Sequence, residues 1–482
     1  MKIKSSAFLI LIIVLALIFR FYFTFSNENF SSDDSYFHLR LVDHIIDKKI
    51  PLMKDDLSYS GNKIIYPQFF HYLLALFSFT LVYTKIITAL LIIFLVVIVY
   101  LISKKITKDK NAALFTAFLA SFIPIEIKTN LNQVSIYAFI IPLVLLMFLA
   151  LMNLDNKKYF NLFLVLSFIL PLVHPISFIF ILSLFFYIIL ANTESIKITR
   201  IKKEAILFTF FLILLINFLI YRNVFLQHGL KIIWQNIPNN LFNEYFKDLN
   251  VLEILYLTGI LPIALGILGI YFGLKRKDNQ IVLMASAILA VFLLISLKLL
   301  NLSIGVLFLS IFLTITSSLT IARFNEYLDL TKFRKFKTIF NIVFILLILI
   351  LTIIPSYFVA KSLLNYDKEI ETFTWIKENT PNDSVILAPL ELGNILTSIS
   401  ERKNVADNNF LLAPNPEERI TDINIAYQTF SKIEAFDVIK KYKINYILFD
   451  DYVKKKYNIE RLLYIDDKCF KEVRNDIYKV TC

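Results

Sequence analysis

The run Ser31-Ser32-Asp33-Asp34-Ser35-Tyr36-Phe37-His38-Leu39-Arg40 gathers two adjacent carboxylates, an imidazole and a guanidinium in a chain that is otherwise mostly apolar. Adjacent carboxylates suit a hard divalent cation such as Mg²⁺ or Mn²⁺, which shields phosphate charge and supports an oxygen leaving group. On a helix beginning near Tyr36, Asp34 and His38 share a face at i,i+4, so His38 is placed to serve as a second ligand or a proton donor. Asp33, Asp34 and His38 are therefore the metal candidates, with Asp34 the catalytic one. The same letters also read as helix capping, because Ser-Asp-Asp before an apolar-periodic segment supplies oxygens to unpaired N–H groups. Composition leaves both readings open.

The elements that must hold this run belong to a membrane protein. Of 482 residues, 57% are hydrophobic, with 47 Phe and a mean hydropathy of +0.68. Soluble domains average roughly 45–50% apolar with glycine counted, and this chain exceeds that with only 8 Gly. Repeated apolar runs of about 18 residues or more predict a polytopic α-helical membrane protein of about 11 to 13 spans. The net charge of +12 does not point to nucleic acid. Its basic residues cluster in short loops at 104–110, 197–203, 275–277 and 332–337, the pattern that orients spans with their basic loops in the cytoplasm. The first run, 7–25, has no small-x-small cleavage site after it and reads as a retained span.

That orientation puts three polar segments outside the cytoplasm: 26–68, 223–252 and everything after 359. Residues 1–360 are expected to form the membrane domain and 361–482 a small extracytoplasmic α/β domain, anchored at the cell membrane. In the latter, Val385-Ile386-Leu387-Ala388 and Tyr446-Ile447-Leu448-Phe449 read as buried strands, with an amphipathic helix at 433–441. The only cysteines, Cys469 and Cys482, flank a stretch that can be drawn as a hairpin turning at Asn475-Asp476. In that register Val473 faces Tyr478, and Cys469 faces Cys482 within disulfide reach. Two unrelated thiols near the terminus are the other reading.

Asp34-Ser35-Tyr36-Phe37-His38-Leu39-Arg40, just after the first span, resembles the first acidic motif of the oligosaccharyltransferase catalytic subunits. These are C-superfamily membrane glycosyltransferases that move glycans from polyisoprenyl (di)phosphates. Thr374-Trp375-Ile376-Lys377-Glu378-Asn379-Thr380-Pro381, Ser384-Val385-Ile386-Leu387, Gly393 and Val405-Ala406-Asp407-Asn408-Asn409 resemble that family's C-terminal core. The resemblance implies a polyisoprenyl-phosphate-linked sugar as donor, membrane lipid as a partner and a divalent cation as cofactor. It also implies a phosphate-binding arginine, for which Arg40 and the Arg323-Phe324 pair are candidates, and a loop glutamate, which falls on Glu244. His174, before Pro175 at an external helix end, is a further phosphate or metal candidate.

The departures are as specific. The family's Trp-Trp-Asp-Tyr-Gly acceptor motif falls on Pro389-Leu390-Glu391-Leu392-Gly393, and no carboxylate occupies Asn130-Leu131-Asn132-Gln133-Val134-Ser135-Ile136-Tyr137, where its second acidic motif is expected. The acceptor is left undefined. A non-catalytic relative that binds lipid-linked sugars, or a carrier assisting a partner transferase, is the alternative.

Overall fold

Lipid offers no hydrogen bonds, so long apolar segments close into helices that satisfy their own backbone. The computed structural model describes residues 5–78, 80–239, 241, 242, 246 and 249–482, in two units that each draw on three stretches of chain. The first comprises Met1–Asn27, Pro67–Ile220 and Glu244–Leu363. Among the described residues, seven helices are long and apolar enough to cross a membrane, or nine if each of two bent pairs is one span, fewer than the about 11 to 13 that hydropathy suggests. Tyr137–Met152 and Lys157–Val173, read as spans from hydropathy, are helices of 16 and 17 residues. The chain is a polytopic helical membrane protein.

Both bends have local causes. Pro124 opens the second half of the pair Lys110–Ser121 and Pro124–Asn130, which meet at 47°. Gly259 separates Val251–Thr258 from Ile260–Lys275, bent by 81°, and holds a φ of +88° that a side chain would resist. Beyond it, Ile260–Lys275 packs backbone to backbone on Leu302–Leu330. A Cβ added to Gly269 would lie 2.0 Å from the Thr316 carbonyl. That closeness lets Thr316 and Thr320 donate across the interface to the Gly266 and Leu265 carbonyls, at 3.2 and 2.7 Å. Helix α1, Ser5–Phe25, carries the buried Arg20, which forms an ion pair with the equally buried Glu126 on Pro124–Asn130.

The second unit comprises Glu28–Tyr66, Tyr221–Asn243 and Leu364–Cys482. Its centre is a five-stranded sheet built from β3 (Val385–Leu387), β4 (Lys403–Asn404), β5 (Ile444–Leu448), β6 (Phe470–Arg474) and β7 (Ile477–Val480), in the order β4-β3-β5-β7-β6. β3 is parallel to both β4 and β5, whereas β7 is antiparallel to β5 and β6. The two expected strands are β3 and β5, and the expected helix is Lys432–Tyr442. Tyr427, fully buried, donates to the Leu387 and Leu448 carbonyls and so ties the ends of β3 and β5 together.

The terminal hairpin turns where expected, with Arg474 opposite Ile477, but β6 then shifts register between Glu472 and Arg474. Tyr478 faces Glu472 instead of Val473, and Thr481 bonds to the Cys469 carbonyl at 2.8 Å. Cys469 and Cys482 are disulfide-bonded all the same, with Cα atoms 4.9 Å apart. One extra residue in β6 moved the frame, and the terminal residue absorbed the difference.

Candidate functional site

The segment 28–66 enters the second unit as helix α2, Asp33–Lys48, followed by a short hairpin of β1 (Lys54–Asp55) and β2 (Asn62–Lys63). α2 starts where a chain of this sequence should start a helix: Ser32 is its extended N-cap residue, and Asp33 and Asp34 occupy the first turn, where negative charge opposes the positive helix end. Ser32 makes no side-chain cap. Asp33 caps a different helix. Its carboxylate accepts from Asn394 N (3.0 Å), Ile395 N (2.9 Å) and Asn394 Nδ2 (2.8 Å), closing the N-terminus of Gly393–Ser400.

This grip leads into a polar network. Asn394 Oδ1 accepts from Asn409 Nδ2, which also donates to the fully buried Asp407. Asp407 further accepts from Asn404 Nδ2 and Asn409 N, both at 3.0 Å. Tyr59 donates its hydroxyl to the Asp407 carbonyl and its backbone N–H to Asn404 Oδ1. Gly393 has no room for a side chain, because a Cβ would lie 2.6 Å from both Ala406 O and Asp407 Cβ. Glycine is what lets the helix start come this close to the acidic loop. Asn394, Asn404 and Tyr59 were not flagged from the sequence; the only signal was Gly-Asn opening a helix after a strand, eleven residues before the Asn404 it bonds.

Asp34 is in a different position. It is exposed to solvent, and no hydrogen bond from the described residues reaches its carboxylate. Protein nevertheless surrounds it closely enough for desolvation, and then the Asp407 charge, to raise its pKa. Asp33 is raised well above the usual carboxylate range, first by burial and then by the Asp34 charge, against the pull of its Ile395 and Asn394 bonds. The two neighbours thus do separate jobs: one holds a helix, the other faces water.

The expected metal set is not assembled. Asp33 spends its oxygens on Asn394 and Ile395, and His38 is buried with its ring 5.5 Å from Phe37 and 5.9 Å from Tyr66. Burial lowers the His38 pKa to about 4. Among the described residues, no three His, Cys, Asp or Glu side chains come together to hold an ion. As placed, Asp33, Asp34 and His38 do not by themselves assemble the expected Mg²⁺ or Mn²⁺ site.

The phosphate candidates also have other partners. Arg40 forms an ion pair with the buried Asp55 and donates to Thr397 Oγ1 at 2.7 Å. Arg323, on Leu302–Leu330, pairs with Glu326 at 3.1 Å and keeps a buried Nε without a partner. His174 Nδ1 accepts from Ile176 N at 3.1 Å, starting the turn Pro175–Ser177, and its ring meets Tyr137. It works as a helix-end cap. Glu244 lies outside the described residues.

Among solved structures, the chain resembles the archaeal oligosaccharyltransferase AglB from Archaeoglobus fulgidus. The complex of AglB with an inhibitory peptide and a dolichol-phosphate matches at a TM-score of 0.69 and 13% identity, over 92% of this chain and 69% of that one. The apo form matches at 0.67 and 15%, over 97% and 73%. The complex with Zn and sulfate matches at 0.65 and 15%, over 95% and 71%. At these identities the likeness is one of fold, and the fold is oligosaccharyltransferase-like. No curated protein sequence matches the chain. A family model does match it, over residues 4–322, and the chain accordingly belongs to the family of unknown function DUF6541.

Proposed function

We propose that the chain is a membrane glycosyltransferase that takes a saccharide from a polyisoprenyl-phosphate carrier and passes it to an acceptor with Asp34 as the acid–base group. The observation that carries this reading is the division of labour in α2. Asp33 is committed to the Gly393–Ser400 helix, which fixes Asp34 in place with its carboxylate unpartnered, in water and raised in pKa. A carboxylate so poised suits removal of a proton from an attacking hydroxyl or amide. The nucleophile bonds to the anomeric carbon, the bond from that carbon to the carrier oxygen breaks, and the lipid phosphate leaves with the electron pair. The AglB complex with a dolichol-phosphate and an inhibitory peptide lends the donor its chemical class. Arg323 and Glu244 remain candidates for the phosphate and the acceptor.

Residues 361–482 are placed outside the cytoplasm by this reading, which the Cys469–Cys482 disulfide supports because such bonds persist in oxidising compartments. A binding-only relative is the second reading, favoured by Asp33 being committed to the Gly393–Ser400 helix and Arg40 to Asp55. Cells carrying Asp34→Ala or Asp34→Asn separate the two. Loss of a glycan with build-up of the lipid-linked saccharide, at unchanged protein level, is expected of the enzyme. An unaltered glycan profile would leave the binding role standing.

A further inference from the structure

The second unit contains a cavity of about 770 Å³ between the segment carrying Lys231 and Trp234 and the start of the helix Pro416–Gln428. Its size falls in the range of small-molecule sites, roughly 300–1,000 Å³. Its aromatic lining residues are Trp234 and Phe242. Its polar lining includes Asn239 from that segment and Glu417 and Thr421 from the helix Pro416–Gln428. Aromatic rings lining one cavity with amides, a hydroxyl and a carboxylate match a ligand whose rings have C–H faces and hydroxyl edges.

Charge narrows the class. Glu418 and Asp422, also at the cavity, are both held by Lys441, at 2.5 and 2.6 Å. The Glu417 carboxylate has only the 3.4 Å contact from Asn239 Nδ2 among the bonds of the described residues, a long one that a ligand hydroxyl would readily replace. Among the described residues the lining carries Lys231 against Glu417, Glu418 and Asp422, a balance that does not favour phosphate.

We propose that this cavity binds a neutral oligosaccharide, with a pyranose ring against Trp234 or Phe242 and vicinal hydroxyls bonded to Glu417 and Asn239. The proposal extends the transferase reading to the sugar, which belongs either to the lipid-linked donor or to an acceptor glycan.

The chain has two tryptophans, Trp234 and Trp375, so full-length protein in nanodiscs with Trp375→Phe leaves Trp234 as the only indole reporter. A panel of neutral and N-acetylated oligosaccharides is expected to include at least one that shifts its emission saturably. Glu417→Ala in the same background should weaken that binding about tenfold, the loss of one hydrogen-bonding side chain. Asp34→Ala should leave it unchanged, so failure of transfer and failure of sugar binding are read separately. Blocking of the shift by a polyisoprenyl-phosphate-linked oligosaccharide identifies the donor as its source, and simultaneous binding identifies the acceptor. The proposal is overturned if no oligosaccharide shifts the emission while acrylamide still quenches Trp234. A shift with pyrophosphate or a peptide alone overturns it too.

Discussion

A carboxylate that already accepts from two backbone N–H groups and an amide has little left for an ion, and this separates Asp33 from Asp34. Asp33→Ala should cost about 2–4 kcal/mol by leaving the buried donors of Asn394 and Ile395 unpaired, while Asp33→Asn keeps an acceptor and should cost less. Thermal melting of the two variants checks the ranking, and equal losses would contradict it. Asp450 offers a cleaner titration. It caps the helix Asp451–Tyr457, and burial raises its pKa from 3.8 to about 6. The folded state holds this proton more tightly, so the stabilisation is complete below pH 3.8 and is lost as pH rises through 6. Two pKa units correspond to about 3 kcal/mol. Asparagine caps equally well, so Asp450→Asn should flatten stability against pH in that window. His38 works in the opposite sense, because its lowered pKa makes stability fall as pH drops from 6.5 towards 4. Wild type alone would show the two partly cancelling, so the comparison needs the single variant. The acidic motif was legible in the sequence because its residue types are dense and local. The partner of Asp33 was not, because Asn394 lies 361 positions away and is an ordinary polar residue.

At the scale of elements, buried charge staples α1 to the broken helix pair. Arg20 and Glu126 are both about 2% exposed, and Asn130 adds a 3.1 Å bond to Glu126. Glu126→Ala should cost about 3–5 kcal/mol by stranding the guanidinium, whereas Arg20→Met with Glu126→Leu should recover most of that. Melting in detergent with size-exclusion readout measures both; a double variant as unstable as the single one would mean the pair does more than neutralise itself. Elements with a strong period or a β-branched run, such as β3, β5 and Lys432–Tyr442, could be read from sequence alone. The break at Gly259 and the shift in β6 could not. Each depends on one residue's backbone angle, and hydropathy does not register backbone angles. The disulfide survived its wrong register because Cys482 follows the last paired residues, where the chain can adjust.

The whole molecule alternates between its two units along the chain: 28–66 and 221–243 belong with 364–482, and membrane helices lie between. Hydropathy marks the polar segments but does not say that they fold together, since that information sits in pairings such as Tyr59 with Asn404 and Arg40 with Thr397. The arrangement has a consequence in time. α2 is made early, but the Asn394 and Ile395 amides that Asp33 holds are made 361 and 362 residues later. At about 5–20 residues per second, that is a wait of roughly 20–70 s. During it the buried-to-be Asp33 has no cap to make, and Tyr59 has no Asp407. Nascent chains stalled before Asn394 should therefore be cut readily by protease within 28–66, and released full-length chains should resist; equal resistance would show that the segment folds without its late partners. A cell that makes this protein must shelter its acidic motif for most of a translation cycle, and a chain cut short would display Asp33 and Asp34 with nothing to hold them.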